Sequence, residues 1–250
     1  MLYWPEKRDA EKSSEIDKEK MRKIFFLFVL ILLAACSNQV VVDMDIPFYR
    51  QSDSGNCMQT QIKMALKYYF PEKDFSFEEL DRLTGRTPGK WTWTSQLLPV
   101  LLDNGLDAYY YSSSSYDGIK EGGKEYILEY YGKEDGQIMI DHTNFDSLYA
   151  SIEKLEENEK FVNEKLDFSY IEKEFKKGHV IILVIDKNVL LGNNRPYSGH
   201  GITLTKINET HVSLHDSAGT PNLTVKKEQL IKAWDNTATD NDAIIIRGKV

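Results

Sequence analysis

The sequence predicts an α+β domain in which helices come first and strands follow, and three patterns carry that reading. Apolar residues recur at three- and four-residue spacing at Ile62, Ala65, Leu66 and Tyr69, the period of a helix with one buried face. Val180–Ile185 is a continuous apolar run of strand length, as expected of a strand covered on both faces. Further strand-like stretches come after it. Helices gathered ahead of strands indicate an α+β domain with a mostly antiparallel sheet.

Residues 1–20 are polar and charged, read as a polar tail or a mis-called start ahead of Met21. Residues 21–36 follow the order of an export signal: Arg22-Lys23, the apolar stretch Ile24–Leu33, then Ala34-Ala35. The run Ile24–Ala35 has 12 residues, short for a bilayer span. The other readings of it are an uncleaved short anchor or a buried helix. Leu33-Ala34-Ala35-Cys36 resembles the lipobox of bacterial lipoproteins. The resemblance implies that Cys36 is lipidated and that the mature chain sits on the extracytoplasmic side of the cell membrane. Residues 37–250 are then one domain, with Ser37–Met44 as its tether.

Ile46–Gln51 reads as an extended segment, and Ser52, Asp53, Ser54, Gly55 and Asn56 as turn and cap formers. A helix over 57–70 is closed by Pro71. A second covers Phe77–Leu83, with Ser76 as cap and Glu79 three residues on. A third covers Thr94–Asn104 and stops at Gly105. Leu106–Tyr111 is a strand. Region 112–168, with glycines at 118, 122, 123, 132 and 136 and a charged helical stretch at 147–165, reads as an irregular insertion or lid. Phe168–Lys177 is a helix ended by Gly178. Strands follow at 180–185, 201–207, 211–215 and 243–247, the middle two joined by the turn Asn208-Glu209-Thr210. Composition is that of a folded domain, 41% hydrophobic and 28% charged. The net charge of −8 excludes the basic footprint that nucleic acid requires.

The chain has 2 cysteines. With Cys36 consumed by lipid, Cys57 is a thiol without a partner, and a nucleophile is a leading explanation. It stands at the first turn of its helix, where the dipole favours thiolate. Such a nucleophile needs a base oriented by an acceptor. Of the 5 histidines, His142 has no context and His179 reads as structural. His211 and His215 read as exposed on a half-polar strand, roughly 13 Å apart and too far to share an ion. No metal or cofactor is expected. His200, between Gly199 and Gly201, begins a strand. A hairpin centred on Asn208 sets Asp216 beside it. The pair is either base and orienting acid or a surface histidine and a turn aspartate. Gln51 is a candidate oxyanion donor. Asn56 offers the same amide or caps the helix.

Three stretches together resemble the papain-like cysteine peptidases that remove double-glycine leaders from bacteriocins, and more closely the stand-alone domains similar to that family, cysteine peptidase family thirty-nine. They are Ile46–Gln51 through Cys57 to Tyr69, Lys177–Val184, and Tyr197–His200 through His215-Asp216-Ser217-Ala218-Gly219. Leu230–Trp234 resembles the closing segment of such domains, in a packing role. The likeness covers most of 45–235. It implies a papain-like fold, with Cys57 as nucleophile, His200 as base, Asp216 as orienting acid and Gln51 as oxyanion donor. The chain departs from the family pattern at Met58-Gln59, Gly201 and Ser217.

The expected function is a lipid-anchored hydrolase acting on a peptide or related amide. The alternatives are a catalytically inactive binding lipoprotein on the same fold and a transglutaminase-like acyltransferase.

Overall fold

A computed structural model describes Met21, residues 42–156 and residues 158–250. The expectations for 1–20, for the export signal beyond Met21 and for Cys36 lie outside the described residues.

Helices open the domain ahead of its first strand, as the sequence predicts. Helix α1 (Cys57–Tyr69) and helix α2 (Phe77–Thr84) come first. Ser76 caps α2, its hydroxyl accepting from the Glu79 N–H at 3.1 Å. A 3₁₀ turn at Thr94–Gln96 leads into α3 (Leu97–Asp103), and β1 (Leu106–Ser112) follows.

Region 112–168 is regular rather than irregular. It holds α4 (Tyr116–Tyr130), α5 (Lys133–His142), α6 (Phe145–Glu156) and a short strand β2 (Phe161–Asn163). The charged helix expected at 147–165 ends at Glu156, because the chain then extends to pair with β1.

The remaining elements are α7 (Phe168–Lys176), β3 (Val180–Asp186), α8 (Lys187–Leu190), β4 (Gly199–Ile207), β5 (His211–Asp216), β6 (Leu223–Lys226), α9 (Lys227–Trp234) and β7 (Ala243–Lys249). One sheet holds all the named strands in the order β2-β1-β7-β3-β4-β5-β6. β1 and β2 pair in parallel; the other neighbours are antiparallel.

The central strands are apolar on both faces. Ile181, Leu183 and Ile185 of β3 and Ile244, Ile245 and Ile246 of β7 are fully buried. The apolar side of α1, with Ile62, Ala65 and Leu66, joins the same core. This is the papain-like arrangement that the motifs imply: a helix that begins with the cysteine lies against the sheet that carries the histidine. Leu230 and Trp234 are buried, consistent with packing as the role of that segment.

The hairpin register differs from the symmetric one. Asp216 stands opposite Ile202, not His200. An irregularity between Leu204 and Lys206 adds a residue to β4. The free Thr205 carbonyl there accepts from the Met44 N–H at 2.9 Å. His215 also differs from expectation. It is 2% exposed, and its Nε2 bonds the Ile46 carbonyl at 2.9 Å. The segment leading to Cys57 is therefore tied to β4 and β5.

Candidate active site

Cys57 opens α1, at the end of a loop fixed from two sides. On one side, the Gln51 N–H donates to the Ser217 carbonyl at 3.1 Å, and the Ser217 hydroxyl donates to Gln51 Oε1 at 2.9 Å. On the other, the buried Arg86 guanidinium bridges Asp53 at 2.7 Å and Asp81 at 2.9 Å. Its Nε donates to the Lys90 carbonyl. Asn56 precedes the helix but its side chain caps nothing. Its amide donates to the Ser52 hydroxyl at 2.7 Å and its Oδ1 accepts from the Asp53 N–H, so it shapes the loop instead.

His200 is 5% exposed and Asp216 is 6% exposed. His200 Nε2 lies 2.7 Å from Asp216 Oδ1. The two residues sit diagonally across β4 and β5, on the same face of the pleat. His200 and Cys57 line one cavity, close enough that each shifts the acidity of the other by hydrogen bonding and charge. Asp216 is held in turn by Lys187 Nζ at 3.0 and 3.2 Å and by the Ala218 N–H at 3.0 Å. The structure thus brings Cys57, His200 and Asp216 into one chain of contacts.

The electrostatics follow from these contacts. Burial pushes the Cys57 thiol up, but the hydrogen bond and charge of His200, with the Gly201 and Met58 N–H groups, outweigh it and hold the thiol below its ordinary value. Burial pushes His200 down, yet its bonds to Asp216 and Cys57 and their charges raise it to about 9. Burial pushes Asp216 up, but His200 and then Lys187 hold it well below the usual carboxylate range. Each partner thus favours the charged form of the other, thiolate beside imidazolium, over the neutral pair.

Gln51 lies in the loop that leads to Cys57. Its side-chain amide donates to the Asp53 carbonyl at 2.8 Å, so that N–H is engaged within the loop. The other histidines are away from the sulfur. His179 pairs with Glu174 at 2.9 Å. His142 ends α5, stacked on Trp91 with centroids 4.4 Å apart. His211 contacts the Thr210 hydroxyl.

Two departures from the family pattern are complementary in space. A Cβ at Gly201 would lie 2.5 Å from Met58 Sδ, so the methionine occupies the space a side chain at 201 would take. Gln59 holds the segment that follows α2, donating to the hydroxyls of Thr84 at 2.9 Å and Thr92 at 2.6 Å.

A cavity of about 70 Å³ adjoins Cys57 and His200. Trp91, Trp93, Met139 and Tyr197 line it, as do Asp240 and Asp242. Region 112–168 therefore contributes a wall through Met139 of α5. It is braced there by the Trp91 N–H on the His142 carbonyl at 2.7 Å and by Trp93 Nε1 on the Thr143 hydroxyl at 2.8 Å. The sequence reading missed Asp240, Asp242 and both tryptophans. The available signal was Asp240-Asn241-Asp242 directly ahead of the apolar strand Ala243–Ile246, the same strand-end setting that drew attention to His200.

No protein-family model and no curated protein matches the chain. Solved structures are similar to it, among them two peptidases. One is the peptidase domain of Streptococcus ComA, a bi-functional ABC transporter involved in a quorum-sensing pathway. It is 11% identical, with a TM-score of 0.47 over 80% of this chain and 97% of that one. The other, from Bacillus anthracis and designated a C39-like peptidase, is 14% identical, with a TM-score of 0.43 over 83% of this chain and 98% of that one. Both neighbours are peptidase domains of the family that the motifs resemble.

Proposed function

We propose that the chain is a thiol hydrolase that cleaves a peptide or related amide bond. Cys57 is its nucleophile, His200 its general base and acid, and Asp216 the residue that orients the imidazole. The observation that carries the reading is the contact chain from the half-buried Cys57 to the buried His200 and Asp216, closed by the 2.7 Å bond at Nε2. A thiolate at a helix start beside an imidazolium is poised to attack a carbonyl. His200 then returns a proton to the leaving amine, and Asp216 holds the ring through both steps. The family resemblance of the motifs points the same way.

In this reading the hydrolase is lipid-anchored at Cys36, outside the cytoplasmic membrane. The support is the Leu33-Ala34-Ala35-Cys36 sequence behind its apolar stretch. Replacing Cys36 by alanine is expected to move the protein from the membrane to the soluble fraction, and unchanged membrane retention would remove the anchor from the account.

The deciding experiment is Cys57→Ala. It is expected to abolish both peptide turnover and labelling by a thiol-directed acyl probe. A variant that keeps full turnover would end the hydrolase reading.

A further inference from the structure

Asp240 and Asp242, in the cavity beside Cys57 and His200, play no part in the proposed mechanism. Each is 6% exposed. Their partners are hydroxyl groups: Tyr131 donates to Asp240 Oδ2 at 2.6 Å and Tyr110 to Asp242 Oδ1 at 2.9 Å. Among the described residues no ammonium or guanidinium group pairs with either. Among the described residues Asp240 Oδ1 is buried with no hydrogen-bond partner, and proteins rarely leave a buried carboxyl oxygen uncompensated.

The walls suit a cation. Trp91 and Trp93 line the cavity, and aromatic faces attract ammonium and guanidinium groups. Burial lifts both carboxyl groups above their usual range, and the charge of Asp242 lifts Asp240 further. An arriving cation would reverse that balance. The cavity also communicates with the nucleophile. The buried Tyr197 hydroxyl feels the charges of Asp240, Asp242 and Cys57 together.

We infer that this cavity is a specificity subsite for a cationic substrate group: an unbranched side chain ending in guanidinium or ammonium passes Trp91 and Trp93 and places its charge on Asp240 and Asp242, while its amide carbonyl reaches Cys57. The inference rests on the hydrolase reading and names its substrate class, a peptide or amide with an arginine- or lysine-like residue near the bond cleaved.

The test is calorimetric titration of the full-length Cys57→Ala protein with butylguanidinium, butylammonium and the neutral isostere butylurea. At least one cation is expected to bind at least tenfold more tightly than butylurea. Tighter guanidinium binding marks an arginine-like substrate, and tighter ammonium binding a lysine-like one. Adding Asp240→Asn is expected to remove the preference for charge. Equal binding of all three probes, or no binding, overturns the inference, and it does so even if the Asp240→Asn protein fails to fold. These titrations need no turnover, so they stand apart from the hydrolase reading. Conversely, a wild-type protein that cleaves norleucine peptides as fast as arginine and lysine peptides keeps the hydrolase and loses the subsite.

Discussion

Asp216 and Asp240 are equally buried, each 6% exposed, yet their acidities move in opposite directions. Asp216 is held far below the ordinary carboxylate range and Asp240 is lifted well above it. Desolvation acts on both in the same sense. The difference lies in the partners. Asp216 faces the Lys187 amine and the His200 ring, whose pKa is raised to about 9, whereas Asp240 faces the Tyr131 hydroxyl and Asp242. Depth alone does not set the charge state of a buried acid. One region of this molecule completes its ion pair internally, and the neighbouring one holds two carboxyl groups against hydroxyl groups alone.

The largest test of the completed pair removes its cation. His200→Ala strips Asp216 of its imidazolium and Cys57 of its base, and turnover is expected to fall about 10²- to 10⁴-fold, the usual worth of a general base. A loss below tenfold in initial-rate assays would separate His200 from catalysis.

The two aspartates themselves give opposite signs in denaturant unfolding at pH 7. Asp216 has a depressed pKa, so its contribution is present above the unfolded pKa and lost as pH falls through the folded one. Asp216→Asn is therefore expected to destabilise the fold by about 3 kcal/mol, as when one partner leaves a buried pair. Asp240 has a raised pKa and weakens the fold as pH rises past its unfolded value. Asp240→Asn is expected to stabilise the fold at pH 7, because it removes a carboxyl group whose ionised form burial opposes. Two variants that shift stability in the same direction would break the comparison.

Packing around the sulfur gives the next effect. Gly201→Ala drives a Cβ against Met58 Sδ, with an expected cost of about 1–3 kcal/mol. Met58→Ala in the same chain is expected to recover part of it, and additive losses in a double-mutant cycle would show that the two positions do not meet.

The smallest effect is on pH dependence. Activity needs the Cys57 thiolate and the His200 proton, so its alkaline limb is expected near pH 9. Lys187→Met removes the competitor for Asp216 and is expected to move that limb upward. A downward shift in the pH profile would contradict the role given to Lys187.

Much of this molecule is legible in its sequence, for physical reasons that differ by region. The spacing of Ile62, Ala65, Leu66 and Tyr69 locates α1, because one face of that helix enters the core. The run Val180–Ile185 locates β3, because both faces of that strand are covered. The five glycines of 112–168 mislead. Gly118 and Gly122 lie inside α4, where Tyr126 folds back over them: a Cβ at Gly118 would meet its ring at 2.4 Å and one at Gly122 its Cβ at 2.8 Å. They are spaces for an aromatic ring rather than loop residues, and the fold-back turns on Gly123 at φ 56°.

The site divides in the same way. Cys57, His200 and Asp216 can be found because each stands at an element boundary with distinctive neighbours. The register that joins His200 to Asp216 depends on a local bulge in β4, which turn symmetry does not reveal. His215 gave no sign of its burial, because its partner is the Ile46 carbonyl, 169 positions away in the chain. The role of Gln51 as oxyanion donor remains a proposal, with its amide on the Asp53 carbonyl in this structure.

The central claim is that Cys57 rests as a thiolate because His200 rests as an imidazolium. The direct measurement is the ultraviolet thiolate absorbance of the protein across pH, taken as the difference from Cys57→Ala and repeated in the His200→Ala background. The account predicts a Cys57 thiolate signal already present at neutral pH, lost on acidification, and displaced to alkaline pH when His200 is absent. A signal that emerges only near the free-thiol value of about 8.5, with or without His200, would contradict it.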